Sequence, residues 1–249
     1  MNLDNSTILI TGGTSGIGLA LAEQLLESGN IILICGRSKE KLAEVKEKHP
    51  RIHTFLCDVM SQEERARLFI DATAEFPELN ILINNAGIQQ DLNFRQEVSA
   101  NLIQQEIDTN FTSYVHFCAL FSQHLQQKEE AAIINISSGL AFIPLSVVPL
   151  YCATKAAIHT FTISLRHQLK NTSVKVFEII PPTVDSDLNK AGRERRRMKD
   201  RGIKPEEFAS PAIEAIKNDQ LETCIGQAVN LYNASKQNFD AVFQRMNPS

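Results

Sequence analysis

Two stretches of the chain set a tyrosine four residues ahead of a lysine: YCATK at Tyr151–Lys155 and YNASK at Tyr232–Lys236. On a helix this spacing stacks the two side chains one turn apart, so the ammonium can sit beside the phenol. An isolated tyrosine, with a pKa near 10, exchanges protons poorly at neutral pH. A neighbouring cation favours the phenolate and lowers that value. Either pair could therefore give a proton to a developing alkoxide or take one from an alcohol.

A second chemical signal lies near the start, where T-G-G-T-S-G-I-G covers residues 11–18. Gly12, Gly16 and Gly18, with Thr14, Ser15 and Ile17 between them, fall where a strand turns into a helix. Glycines permit the tight turn and a close approach of pyrophosphate to the helix N-terminus, whose free N–H groups and dipole favour negative charge. The spacing G-x-x-x-G-x-G in this position points to a nucleotide, although glycines also build ordinary turns.

The elements that must carry these residues alternate regularly. TILIT (7–11), IILIC (31–35), IHTFLCD (52–58), LNILIN (79–84), AAIINIS (131–137), VKVFEII (174–180) and TCIG (223–226) read as strands. Amphipathic helices are expected at 16–29, in SKEKLAEVKEKH, in SQEERARLFIDATAEF with Ser61 as N-cap, at about 96–127, at 151–169 and at 227–245. Strands apolar on both faces and separated by helices call for a doubly wound parallel α/β sheet of about seven strands, with helices on both faces. No repeat or linker divides the 249 residues, so one domain over 1–249 is expected.

Composition narrows the function. A net charge of -4 and a pI near 5.9 argue against nucleic acid as a partner. The longest apolar stretch, GLAFIPLSVVPLY, is short and carries two prolines, so no membrane span is expected. The N-terminus has no basic region ahead of an apolar one, which reads as no signal peptide. Five scattered cysteines read as reduced, buried thiols of a cytoplasmic protein. The six histidines show no ligand spacing, and no metal is implied.

With the glycine-rich turn, INNAG at 83–87, INISS at 134–138 and YCATK at 151–155 in this order, the chain resembles the short-chain dehydrogenase/reductase family. The resemblance runs from about residue 5 to residue 190 and implies a Rossmann fold. SLRHQLK…IIPPTVDSDL and the ending FQRMN resemble the subgroup that includes the oxidoreductase-like protein of the lipoteichoic acid D-alanylation cluster. The family sets its catalytic tyrosine thirteen residues after a serine that ends a strand. Tyr151 meets this through Ser138, with Ser137 as the alternative, whereas the position thirteen before Tyr232 is Asp219. YNASK is therefore expected to be a decoy whose tyrosine packs the tail helix.

The resemblance implies a hydride transfer between NADP(H) and a carbonyl/alcohol pair. Tyr151 would be the general acid/base, with Lys155 holding the nicotinamide ribose and Ser138 the substrate oxygen. Asn110 would hold the helix geometry and a water beside Lys155; alone it reads as a capping asparagine. It also implies adenine contacts from Asp58 and Val59, and adenosine or ribose contacts from Asn85, Ala86 and Gly87. Val184 and Ser186 would meet the carboxamide, in a turn where Pro182 replaces the usual glycine. A non-catalytic dinucleotide sensor or scaffold of the same fold is the alternative, and a sugar-nucleotide epimerase or dehydratase would need a longer C-terminal region.

Which nicotinamide is used depends on ICGRSKEK at 34–41. Enzymes that take NAD generally carry an acid at the end of the second strand, where this chain has Gly36. Arg37 follows, with Ser38 beside it, and a guanidinium suits a 2′-phosphate. NADP(H) is expected as the preferred cofactor, with NAD(H) as the alternative; a surface arginine is the competing reading of Arg37. A substrate lid is expected around 186–210. Within it AGRERRRMKDRG (191–202), with six basic and two acidic residues, is either a solvated face or an attractor of anions. Helices 110–127 and 151–169 carry Phe111, Tyr114, Phe117, Phe121, Ile158, Phe161 and Leu165, which imply a homodimer or homotetramer or else burial in the monomer.

Overall fold

The computed structural model describes residues 1–196 and 202–248. Seven parallel strands form one sheet in the order β3-β2-β1-β4-β5-β6-β7. They are β1 (Thr7–Thr11), β2 (Ile31–Gly36), β3 (His53–Leu56), β4 (Leu79–Asn84), β5 (Ala131–Ile136), β6 (Val174–Ile180) and β7 (Glu222–Cys224). Successive residues of β1 divide between two cores, Ile8 and Ile10 on one face and Leu9 on the other, as the period of two requires. The sheet is thus a doubly wound α/β sheet covered on both sides.

One layer contains α1 (Gly16–Glu27) and α2 (Lys39–Lys48), the other α3 (Gln62–Glu75), α4 (Ala100–Ile107), α5 (Ser113–Leu125) and α6 (Pro149–Leu169). Ser61 caps α3 as its position predicts, its hydroxyl accepting from Glu64 N at 3.2 Å. Strand order reverses between β1 and β4, and the loops leaving these two strands open a crevice there.

Four boundaries differ from the sequence reading. The stretch read as one helix over 96–127 starts at Ala100 and contains a π turn at Asp108–Thr112 between α4 and α5. The third strand stops at Leu56, which leaves Asp58 in the loop after it. The tail helix breaks at Asn238 into α9 (Ala228–Gln237) and α10 (Phe239–Met246). Between α7 (Lys190–Arg195) and β7 lies α8 (Pro205–Lys217), which the internal Pro211 disguised; its apolar stripe of Phe208, Ala209, Ala212 and Ile216 is buried in the same core as α1.

The apolar residues of α5 and α6 are mostly core. Tyr114, Phe117, Phe121 and Ile158 have no exposure and Leu165 is buried, so a single layer of helix on sheet accounts for them. Phe111 and Phe161 remain on the outer face, edge to face at 6.4 Å, beside Ala156 and Ala157. No helix among the described residues is long and apolar enough to cross a membrane. All five cysteines are free thiols, four of them buried.

Candidate active site

The glycine-rich turn owes its shape to missing side chains. Gly12 and Gly16 have φ of 65° and 55°, where a side chain is strained. A Cβ on Gly18 would lie 2.4 Å from the Gly12 carbonyl oxygen, so Gly18 lets α1 pack onto the turn and does not itself face the cleft. The chain after β4 locks the turn in place. Thr11 Oγ1 accepts from Asn85 N and Ala86 N at 2.9 and 3.0 Å, and Asn85 Nδ2 donates to the carbonyls of Thr11 and Gly12 at 2.9 and 3.2 Å. Ser15, the residue ahead of α1, makes no side-chain cap, which leaves the helix N–H groups free for another acceptor.

These groups line one cleft of about 540 Å³. It brings together Gly12, Thr14, Ser15, Gly16 and Ile17 of the turn with Arg37, Ser38, Asp58, Val59, Asn85, Ala86 and Gly87. Tyr151, Lys155 and Ser186 line the same cleft. Four predicted residues do not line it: Gly18, Asn110, Ser138 and Val184. Val184 is buried and forms a parallel β-bridge with Ile203.

Tyr151 stands in the first turn of α6, and its phenol is almost fully buried. Burial raises its pKa above the ordinary value; the Ser138 hydroxyl, by hydrogen bonding, draws it back down, and the charges of Cys152 and Glu106 push it up. Ser138 Oγ also accepts from Leu140 N at 3.1 Å, opening the short turn after β5. Ser137, the alternative serine, reaches the cleft but its buried Oγ has no partner among the described residues.

Lys155 departs from the expected arrangement. Its ammonium does not bond the Tyr151 phenol; it donates to the Ile136 carbonyl at 2.8 Å and to Tyr114 Oη at 3.4 Å, and lies 5.7 Å from the Tyr151 ring centroid. The last carbonyl of β5 is a stronger acceptor than a neutral phenol and lies within reach of the buried chain. Burial lowers the Lys155 pKa to about 7, with the Glu178 charge opposing the fall. Asn110, in the π turn, has both ends of its amide engaged. Its Oδ1 accepts from Ile88 N and its Nδ2 donates to Ile88 O, both at 2.8 Å, with Thr154 Oγ1 at 3.2 Å. It therefore fastens the loop after β4 to α6.

Several residues of the site have no sequence motif. Glu106 on α4 is fully buried, accepts from Gln90 N at 3.2 Å, and is raised by burial to about 7. Asp91 gathers Asn189 at 2.7 Å, Arg195 at 3.5 Å and Arg196. Burial would raise the Asp91 pKa, but these hydrogen bonds and charges hold it below the ordinary value. Arg195 stays exposed and Arg196 is mostly covered; both reach Asp91 and so tie this end of the basic segment to the loop after β4. Residues 197–201 of the basic segment, Arg197 included, lie outside the described residues.

Tyr232 of the second pair is outside the cleft. Its ring meets Phe142 edge to face at 4.9 Å, and Lys236 Nζ donates to its hydroxyl.

Comparison with known proteins agrees with this architecture. The family model for short chain dehydrogenases matches residues 6–197. The uncharacterised oxidoreductase DltE of Bacillus subtilis is 46% identical over 248 residues, covering 99% of this chain and 98% of that protein. An uncharacterised oxidoreductase of Staphylococcus aureus is 31% identical, covering 86% and 92%. Among solved structures, a Burkholderia cenocepacia short chain dehydrogenase in complex with NADP superposes with a TM-score of 0.85 at 24% identity, covering 99% of both chains. One from Burkholderia phymatum in complex with NAD gives 0.87 at 22% identity, covering 100% of this chain and 98% of that one. The chain belongs to the short-chain dehydrogenase/reductase family of oxidoreductases, in a subgroup resembling DltE.

Proposed function

We propose that the protein is a cytoplasmic NADP(H)-dependent oxidoreductase that interconverts a small-molecule carbonyl and its alcohol, with Tyr151 as general acid/base. The observation that carries this reading is the meeting of Tyr151, Lys155 and the glycine-rich turn in one cleft at the switch point of the sheet. The residues present fit a dinucleotide. Gly12 and Gly16 line the cleft at the uncapped start of α1, where a pyrophosphate would meet free N–H groups, and the Arg37 guanidinium is exposed with no partner among the described residues.

NADPH supplies the hydride when bound. In the reducing direction the carbonyl oxygen gains negative charge and takes the Tyr151 proton. Ser138, hydrogen-bonded to that phenol, holds the same oxygen, and Lys155 is placed to hold the nicotinamide ribose and to favour the phenolate once the proton has gone. Asn110 keeps the Ile88 loop and α6 in register around them. Phe111, Phe161 and the two alanines of α6 are the surface through which a homodimer or homotetramer would form.

Titration with each cofactor tests the reading. NADP(H) should bind at least tenfold tighter than NAD(H), about 1.4 kcal/mol, and Arg37→Ala should remove the difference. Equal affinities in the wild-type protein would overturn the preference. A swap through Gly36→Asp is a poorer test, because its Cβ would meet the Thr14 methyl at 2.9 Å.

A further inference from the structure

A polar row crosses the sheet at a single register. Asn84 on β4 pairs with Asn135 on β5, Asn135 with Glu178 on β6, and Glu178 with Glu222 on β7. The first two satisfy each other: Asn84 Nδ2 donates to Asn135 Oδ1 at 2.9 Å, and Asn135 Nδ2 donates to Thr162 Oγ1 on α6 at 2.9 Å. The last two are carboxylates directly opposite one another, an arrangement that costs stability unless a cation lies between them.

The cation supplied by the chain is incomplete. His159 Nδ1, projecting from α6, lies 2.8 Å from Glu178 Oε2. Glu178 has no exposed side-chain surface, yet its second oxygen, Oε1, has no hydrogen-bond partner among the described residues. One imidazole therefore faces two carboxylates, and a fully buried acceptor is left over. Leaving such an atom buried and unpaired is unfavourable unless a donor or a cation meets it. Donor atoms of His159, Glu178 and Glu222 all lie within 4.8 Å of one another, somewhat wider than the about 3.4 Å between ligands on a tetrahedral zinc ion, so a bound ion would draw them together.

We propose that His159, Glu178 and Glu222 form a zinc-type metal site at the back of α6. One imidazole nitrogen and two carboxylate oxygens make a three-ligand set with an open fourth position, the donor set zinc accepts at about 2.0–2.2 Å. The nitrogen ligand disfavours calcium and magnesium, which take oxygen. The metal replaces the proton shared by His159 Nδ1 and Glu178 Oε2, and that proton leaves to solvent. Sequence spacing gives no sign of the site because its three ligands come from α6, β6 and β7, brought together only by strand register.

The test uses the full-length protein, freed of metal with a chelator and titrated with Co²⁺ as a spectroscopic stand-in for zinc. One equivalent should give the visible absorption of four-coordinate Co²⁺ and be displaced by Zn²⁺. Glu222→Gln, at the exposed edge of the sheet, should weaken binding at least tenfold while leaving NADPH affinity unchanged and the melting temperature without metal no lower, since it removes one of the two facing charges. His159→Gln should weaken it as well. No saturable absorption at millimolar Co²⁺, or equal binding by wild type and both variants, would overturn the proposal.

Discussion

The two Tyr-x-x-x-Lys pairs carry the same spacing and behave in opposite ways. In YNASK the lysine does what helical spacing suggests: Lys236 donates to the Tyr232 hydroxyl, its ammonium 3.8 Å from the ring centroid on the protein surface. In YCATK the lysine passes the tyrosine by and takes the Ile136 carbonyl. The pair that forms the local contact lies outside the cleft, and the pair that lacks it lines the cleft. A four-residue spacing brings two side chains within range of each other, and the best acceptor in range then decides. On the surface Lys236 bonds no other acceptor among the described residues. In the interior a strand-end carbonyl competes with the phenol, and burial, the Ser138 hydrogen bond and the charges of Cys152 and Glu106 leave the Tyr151 phenol with a pKa above its ordinary value.

The sharpest way to break this comparison is to remove each hydroxyl. Tyr151→Phe should lower turnover by roughly 10²–10⁴-fold with NADPH affinity changed less than about twofold; Tyr232→Phe should leave turnover as it is. Steady-state kinetics with a reducible carbonyl, alongside cofactor titration, measures both. A crippled Tyr232→Phe with an active Tyr151→Phe would reverse the assignment.

A smaller effect would sharpen the part played by surroundings. Glu106 holds its proton more tightly folded, at about 7, than at the ordinary 4.5. Its contribution to stability is then fully present below 4.5 and is lost as pH rises through 7. Glu106→Gln keeps an acceptor for Gln90 N and cannot ionise. The variant should gain on the wild-type protein as pH rises, by up to about 3 kcal/mol above pH 8, read from denaturant unfolding at several pH values. A constant difference across that range would mean the carboxyl is not held neutral. The smallest effect belongs to the surface pair: Lys236→Met should change stability by less than about 0.5 kcal/mol, because an exposed contact of this kind is screened by water.

The order of strands and helices was legible because apolar runs and glycine punctuation are local. The cleft was legible too, since its lining comes from residues at strand ends, from Thr14 to Lys155. What sequence concealed was long-range pairing. Asn110 looks like a cap, and only the fold shows it spanning Ile88 and Thr154. Arg195 and Arg196 look like a free basic patch until Asp91, about a hundred residues away, is seen beneath them. Glu178 was not singled out at all: it stands inside VKVFEII, and only the fold shows it buried against His159 on α6.

The π turn at Asp108–Thr112 has one residue more than an ordinary helical turn would use, and Ser113 N reaches back five positions to Asp108 O to close it. Such an extra residue works as a phase shift. Each α-helical residue turns the helix by about 100°, so α4 and α5 are set out of step with each other by a single added residue. Deleting Asp108, Thr109, Phe111 or Thr112 would restore a continuous helix and turn α4 relative to α5 by about 100°, so that Glu106 and Asn110 would not both keep their present places even with every remaining side chain kept. The register of these two residues is encoded in how many amino acids are present as much as in which ones they are.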